Sequence, residues 1–349
     1  MQRTTVLLLF GGESSERDVS ISSARNVYAA IDDMKFELIL GYIDAQGKWW
    51  LLDSFDTELA QQQIVPVLGE GYFLTLSDNR ELRPDVILPI LHGKNGEDGS
   101  VQGLAQLMHI PIVGCDMTAS AICMDKLATK EILDAHAFAT APYDTHHRYD
   151  AVPDFNHLSL RLGCPMFVKP ARAGSSVGVS KVYSEDELIA ALELAHQHDE
   201  VVLIERGIAG RELEVAVLGN PPTHRTSGVG EIIPGDDFYS YDAKYATNST
   251  SQAIISAELD PAIKSYIQQQ AGRVYEVLGC TGLARVDFFL TEDNTLYVNE
   301  INTLPGFTNI SMYPKLWRAE GLSYSELIEE LILLATGVTI KETIAEANV

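Results

Sequence analysis

The first third alternates apolar runs of strand length with stretches of helical spacing, and two of those runs lead into loops rich in glycine and acidic residues. Strands that alternate with crossover helices bury such runs on both faces, which predicts a parallel sheet in an α/β unit. "TTVLLLF" leads into "GGESSERDVS" and the helical "ISSARNVYAAID"; "FELILGYI" follows; "PDVILPIL" leads into "HGKNGEDGS" and the helical "VQGLAQLM", and then comes "IPIVG". In parallel sheets ligands collect at the carboxyl ends of strands, where both Gly-rich loops, 11–20 and 92–100, fall.

From Ala119 the arrangement changes. "SAICMDKLATKEILDAH" reads as one long helix, and "TAPYDTHHRYDAVPD" reads as a linker. "CPMFVKP", "VGVSKV", "VVLIERGI" and "RELEVAVLG" then read as short strands around the helix "EDELIAALELAHQH", a small α+β unit of roughly one hundred residues. The last third holds a long polar loop with three tyrosines, "IPGDDFYSYDAKYATNSTSQ", then the helix "PAIKSYIQQQAGRVYEVLG", two strands and a closing helix near "SYSELIEELILLATG". A loop of that length points to function rather than to a plain connection.

Formal net charge is -24, from 49 acidic and 25 basic residues. Such a surface repels a phosphate backbone, so nucleic acid is excluded as a partner, and basic residues in apolar or Gly-rich stretches become candidates for a small anion. No stretch reaches the ~18 apolar residues of a membrane span, and the opening apolar run is too short for a signal peptide. Cys115, Cys123, Cys164 and Cys280 form no C-x-x-C pair; they read as small buried apolar residues in a reducing cytoplasm.

The two strands of the last third, "LARVDFFL" and "LYVNEIN", flank the turn-rich "TEDNT". Strict alternation puts Val298, Glu300 and Asn302 on one face of the second strand, and Tyr297, Asn299 and Ile301 on the other. A hairpin centred on Asp293 and Asn294 sets Asp287 opposite Glu300 and Arg285 opposite Asn302. Opposed carboxylates repel unless a cation lies between them, and an all-oxygen donor set selects a hard ion such as magnesium. Arg285 beside them suits a phosphate or oxyanion. An acidic hairpin with an Arg for compensation is the alternative.

"FVKPARAGSSVGVSKV" has neither the P-loop pattern nor a G-x-G-x-x-G after a strand. Its strand, Gly-rich loop and strand suit a flexible cover whose backbone N–H groups approach phosphate oxygens. Lys169 and Lys126 are candidates to neutralise those phosphates, and "LIERGIAGRELEV" supplies Glu205, an apolar segment around Ile208, and Glu212 for an adenine amino group and ribose hydroxyls. Taken singly, Glu16 reads equally as a helix cap, His92 as a satisfied strand-end residue, and Ser175 and Ser176 as turn residues.

Together "GGESSERDVS", "HGKNGEDGSVQG", "MDKLATK", "VKPARAGSSVGVSKV", "YDAKY", "ARVDFFL" and "NEINTLPGFTNISMYPKLW" closely resemble the D-alanine:D-alanine ligases of the ATP-grasp superfamily, in the family's order over residues 11–317. The resemblance implies three domains: a Rossmann-like N-terminal α/β domain over 1–121, a central ATP-grasp subdomain over 122–213 and a C-terminal one over 214–349. ATP would lie between the last two. It implies two magnesium ions, or manganese, on Asp287, Glu300 and Asn302. Phosphates would meet Lys126, Lys169, Ser176 and Lys244; Glu205, Ile208 and Glu212 would hold the nucleoside, Ile208 through its backbone. The first D-alanine would lie near Glu16, His92 and Arg285, the second against Ser311 and the backbone near Met312. Gly306 N–H and Arg285 would receive the oxyanion, and Glu16, Ser175 and Tyr245 would join in one hydrogen-bonded group on closure.

Arg17 stands where many relatives have His, and "ARAG" varies a segment that also varies among them. Tyr245 favours D-alanine as second substrate, since D-alanyl-D-lactate ligases tend to have His there. A D-lactate or D-serine ligase, or a nucleotide-binding regulator without catalysis, is the alternative. A homodimer is the family expectation, and whether potassium assists is not legible in the sequence.

Overall fold

The computed structural model describes residues 3–55, 62–235 and 252–337. It is built on three sheets. In the first, β1 (Thr4–Gly11) pairs in parallel with β2 (Phe36–Ile43) and β7 (Val86–Ile90), with α1 (Arg17–Ala30) after β1 and α2 (Ser100–Met108) after β7. That is the expected parallel unit. The sheet then continues antiparallel through β3 (Trp49–Leu52), β4 (Gln62–Val67), β5 (Tyr72–Thr75) and β6 (Glu81–Leu82), an extension on which the sequence reading was silent. "IPIVG" contributes only an isolated bridge, Ile112 to Ile87.

The long helix expected over 120–136 is two. Asp125 ends α3 (Met117–Met124) in an extended conformation, and its carboxylate accepts from the N–H groups of Leu127 and Ala128 at the start of α4 (Lys126–Ala135). The expected linker also has structure, supplying β8 (Tyr143–His147), and α5 (Phe155–Leu162) follows directly after it.

The second sheet is antiparallel, in the order β10 (Ser180–Val182), β9 (Met166–Pro170), β11 (Val201–Arg206), β8. One face packs on α5 and α6 (Glu185–Ala195) through Met166, Val168, Val202 and Ile204. Strand parity turns Phe167, Lys169 and Glu205 to the opposite face.

The third sheet runs β14 (Gln252–Ile254), β13 (Arg225–Ile233), β12 (Arg211–Leu218), β15 (Leu283–Leu290), β16 (Leu296–Asn302), all antiparallel. "RELEVAVLG" therefore belongs at the centre of this sheet and not to the small central unit, and a boundary after residue 213 falls inside β12. The chain crosses between the sheets at 207–210, where a Cβ on Gly207 would sit 2.8 Å from the Pro165 carbonyl oxygen and one on Gly210 would sit 2.7 Å from that of Leu290. The back of the third sheet packs on α3, α4 and α7 (Pro261–Val277). Beside its other face, α8 (Met312–Ala319) and α9 (Tyr324–Thr336) share an apolar cluster with β1, α1 and β7. Cys115, Cys123 and Cys280 are buried as expected, whereas Cys164 is exposed.

Candidate active site

A cleft of about 1380 Å³ opens between the free face of the second sheet and the polar face of the third, with the two Gly-rich loops of the first sheet at its end. Sixteen of the eighteen candidate residues line it: Glu16, His92, Lys126, Lys169, Ser175, Ser176, Glu205, Ile208, Glu212, Arg285, Asp287, Glu300, Asn302, Gly306, Ser311 and Met312. Lys244 and Tyr245 lie outside the described residues.

On β15, Ala284, Val286 and Phe288 enter the core behind the sheet, which leaves Arg285 and Asp287 facing the cleft. The cross-strand row Glu214, Asp287, Glu300 runs over three strands, with Arg285 opposite Asn302. This is the register expected near the site, but not along the whole hairpin. A bulge at Asn299 shifts the pairing, so Phe288 meets Val298. Val298 and Ile301 both enter the core, and Val298 does not share a face with Glu300 and Asn302. The outer edge of β16 explains the bulge: Val298 N–H donates to Ala139 O at 2.9 Å, bridging to the chain at 139–140.

The Arg285 guanidinium donates to both Asp287 oxygens at 2.7 Å, lies 3.3 Å from Glu214, and Asn302 Nδ2 donates to Asp287 at 2.9 Å. Burial works against the Arg285 charge, but Asp287 and Glu214 outweigh it and raise its pKa. Among the described residues no three His, Cys, Asp or Glu side chains cluster as a metal site. The set here is two carboxylates and an amide, all-oxygen toward a metal, and two cross-strand carboxylates fit a hard divalent cation on charge and donor type.

The Gly-rich loop holds Ser175 at φ 51° and Ser176 at φ 59°, a left-handed pair that costs about 1–2 kcal/mol per residue. Lys126 Nζ donates to Ala173 O in this loop at 2.6 Å. Lys169 Nζ lies 2.6 Å from Glu205, which is 4% exposed. Burial would raise the Glu205 carboxyl, yet Lys169 and Lys130 hold it below the usual range.

Glu16 occupies the N-cap of α1 without a side-chain cap bond. Its buried carboxylate turns to the cleft instead, and a Cβ on Gly174 would lie 3.9 Å from both Glu16 Oε2 and Glu97 Oε2. The His92 ring is only half satisfied, with Nδ1 3.2 Å from Leu304 O and Nε2 buried without a partner among the described residues; burial depresses its pKa, and the neighbouring Glu16 carboxylate works the other way. Ser311 precedes α8, and its hydroxyl turns back to Thr308 at 2.7 Å, leaving the helix N-terminus open to the cleft.

Models of the D-ala D-ala ligase N-terminus and C-terminus match residues 5–115 and 132–333. The chain belongs to the D-alanine–D-alanine ligase family. It is 45% identical to the D-alanine–D-alanine ligase of Proteus mirabilis and to D-alanine–D-alanine ligase A of Escherichia coli K12, over 96% of each chain. Among solved structures, the D-alanine-D-alanine ligase of Coxiella burnetii matches with a TM-score of 0.87 at 34% identity, over 99% of this chain and 98% of that one. The VanG D-Ala:D-Ser ligase of Enterococcus faecalis also gives 0.87, at 36% identity, over 96% and 100%.

Several polar residues beside this ligase cleft escaped the sequence reading. Glu97, Lys181 and Glu214 line it, and Lys130 lies behind Glu205. Parity alone would have placed Glu214 beside Glu212, once β12 is read as a central strand. Nothing local distinguishes Lys130 from Lys126, the other lysine of its helix.

Proposed function

We propose that this chain joins two D-alanine molecules into D-alanyl-D-alanine at the expense of ATP, for bacterial peptidoglycan synthesis. The observation that carries the reading is the gathering of candidate residues from three sheets into one cleft, in a chain 45% identical to D-alanine–D-alanine ligases. In this reading the chain divides into three domains, the last two meeting near 207–210, with ATP between them.

Glu205, Ile208 and Glu212 hold the nucleoside, while Lys126, Lys169, Ser176 and Lys244 receive the phosphates. Asp287, Glu300 and Asn302 would hold two magnesium ions, which would offset the repulsion between a carboxylate and a polyphosphate. Glu16 takes the ammonium of the first D-alanine; His92 and Arg285 take its carboxylate. A carboxylate oxygen bonds to the γ-phosphorus, the bond to ADP breaks, and an acyl phosphate results.

The second D-alanine sets its carboxylate against Ser311 and the Met312 N–H, where a helix N-terminus favours an anion. Its neutral amine attacks the acyl carbonyl, and the extra proton on the new C–N bond's nitrogen leaves with the phosphate. Arg285 and Gly306 N–H receive the oxyanion, a contribution of ~3 kcal/mol per donor, and phosphate leaves. Tyr245 joins Glu16 and Ser175 on closure, which excludes water from the acyl phosphate. A homodimer in the cytoplasm completes the reading.

The test is a product assay with ATP, magnesium and D-alanine, reading phosphate and dipeptide together, with D-serine and D-lactate as rival acceptors and a chelator as control. Dipeptide equal to phosphate, lost on chelation, is expected. Preference for D-serine or D-lactate at neutral pH would refute the choice of acceptor, and no D-alanine-dependent phosphate release would refute the enzyme.

A further inference from the structure

Lys130 is 3% exposed and does not reach the cleft, yet its ammonium lies 3.2 Å from Glu205 Oε1, on the side away from Lys169. It donates to Ala141 O at 3.1 Å and sits 5.2 Å from the centre of the Tyr143 ring. A buried ammonium with a carboxylate, a carbonyl and an aromatic face around it is fixed in place.

Lys130 also stands four residues after Lys126 on α4, one turn along the same helix, so a single helix reaches both the Gly-rich loop and Glu205. The two lysines on Glu205 differ in freedom. Lys169 lines the cleft and has a triphosphate to serve once nucleotide is bound, whereas Lys130 has no route to it.

Resting on the nucleotide site proposed above, we propose that Lys130 is the permanent counter-ion of Glu205 and, through it, a positioning residue that sets the preference for adenine over guanine. An ionised carboxylate only accepts hydrogen bonds. It therefore takes the 6-amino group of adenine and repels the 6-oxo group of guanine. When Lys169 turns to the phosphates, Lys130 alone keeps Glu205 ionised and in place; without it, a protonated Glu205 would donate to the guanine oxygen as readily as accept from adenine.

The experiment measures steady-state kinetics of the full-length chain with ATP and with GTP, for Lys130→Met, Lys130→Arg and Glu205→Gln. Lys130→Met should raise the KM for ATP and lower the ATP-to-GTP ratio of kcat/KM, each by about tenfold, with kcat and the D-alanine KM nearly unchanged. Lys130→Arg should recover most of both. If Glu205→Gln alters the ratio and Lys130→Met does not, the positioning role is overturned; if Glu205→Gln also leaves it unchanged, the nucleoside site itself is misplaced.

Should Lys130→Met fail to fold with Glu205 left buried and unpaired, the double variant with Glu205→Gln removes both charges. A ratio equal to that of Glu205→Gln alone supports Lys130 acting through Glu205, and a further fall overturns it.

Discussion

Glu97 shows how a side chain with no motif of its own becomes distinctive only through its surroundings. It accepts from Gly93 N–H at 2.7 Å, yet burial and the neighbouring Glu16 carboxylate push its pKa up to about 8. Between the ordinary value of 4.5 and about 8, the folded chain keeps a proton that the unfolded chain has lost. The unfolded state then binds fewer protons, so this group lowers stability as pH rises through that window, and none of its cost is present below it. Glu97→Gln removes the titration. The melting temperature of the variant should gain on that of the parent between about pH 5 and about pH 8, and a constant gap would show that the carboxyl is not raised. Residues such as Glu300 and Lys169 were legible because strand parity exposes a charge in an apolar run. Glu97 and Lys130 were not, since what sets them apart is a neighbour brought from another element.

At the scale of elements, the break between α3 and α4 was hidden by composition. Ala, Met, Lys and Leu on both sides of Asp125 are all good helix formers, and a single Asp inside such a run carries no visible stop. The carboxylate nevertheless caps α4, accepting from two N–H groups at 3.0 and 3.1 Å. Asp125→Ala should cost about 1 kcal/mol, read from the denaturant midpoint, and Asp125→Asn should retain most of it because Asn caps equally well. An equal loss in both would place the effect instead in the charge that faces Arg172 at 3.9 Å. The hairpin gives the complementary lesson. Pairing Asp287 with Glu300 followed from the turn and the charges, but the bulge at Asn299 answers to the chain at 139–140, which no local pattern announces. Likewise β8 and α5 hide in a stretch with His, Asp and Pro, where tertiary pairing overrides weak propensity.

Across the whole molecule, the three-part order was legible from the change of periodicity, while the sharing of cores was not. The first sheet and helices α8 and α9 contribute to one apolar cluster, together with Ala216 and Leu218 of the third sheet. The second sheet keeps a separate cluster with α5 and α6, centred on Leu188, Leu192, Val168 and Ile204. Apolar contact is what makes distant segments unfold together, so the first and third sheets should behave as one cooperative unit and the second as another. Leu188→Ala, at a fully buried position of α6, removes contacts inside the second cluster alone. It should cost about 2–5 kcal/mol there. Hydrogen exchange followed by mass spectrometry should then find β8 to β11, α5 and α6 opening faster while β1, β7, β12 and β15 keep their protection. Leu331→Ala, buried in the cluster that spans the first and third sheets, should do the reverse. Uniform acceleration in both variants would mean a single cooperative molecule. Because Lys169 and Glu205 line the cleft from the second sheet and Asp287 and Glu300 from the third, a nucleotide bound between them would couple the two units. Saturating ATP should therefore slow the opening of the second sheet in Leu188→Ala, and a ligand that left its exchange unchanged would not be bridging the cleft.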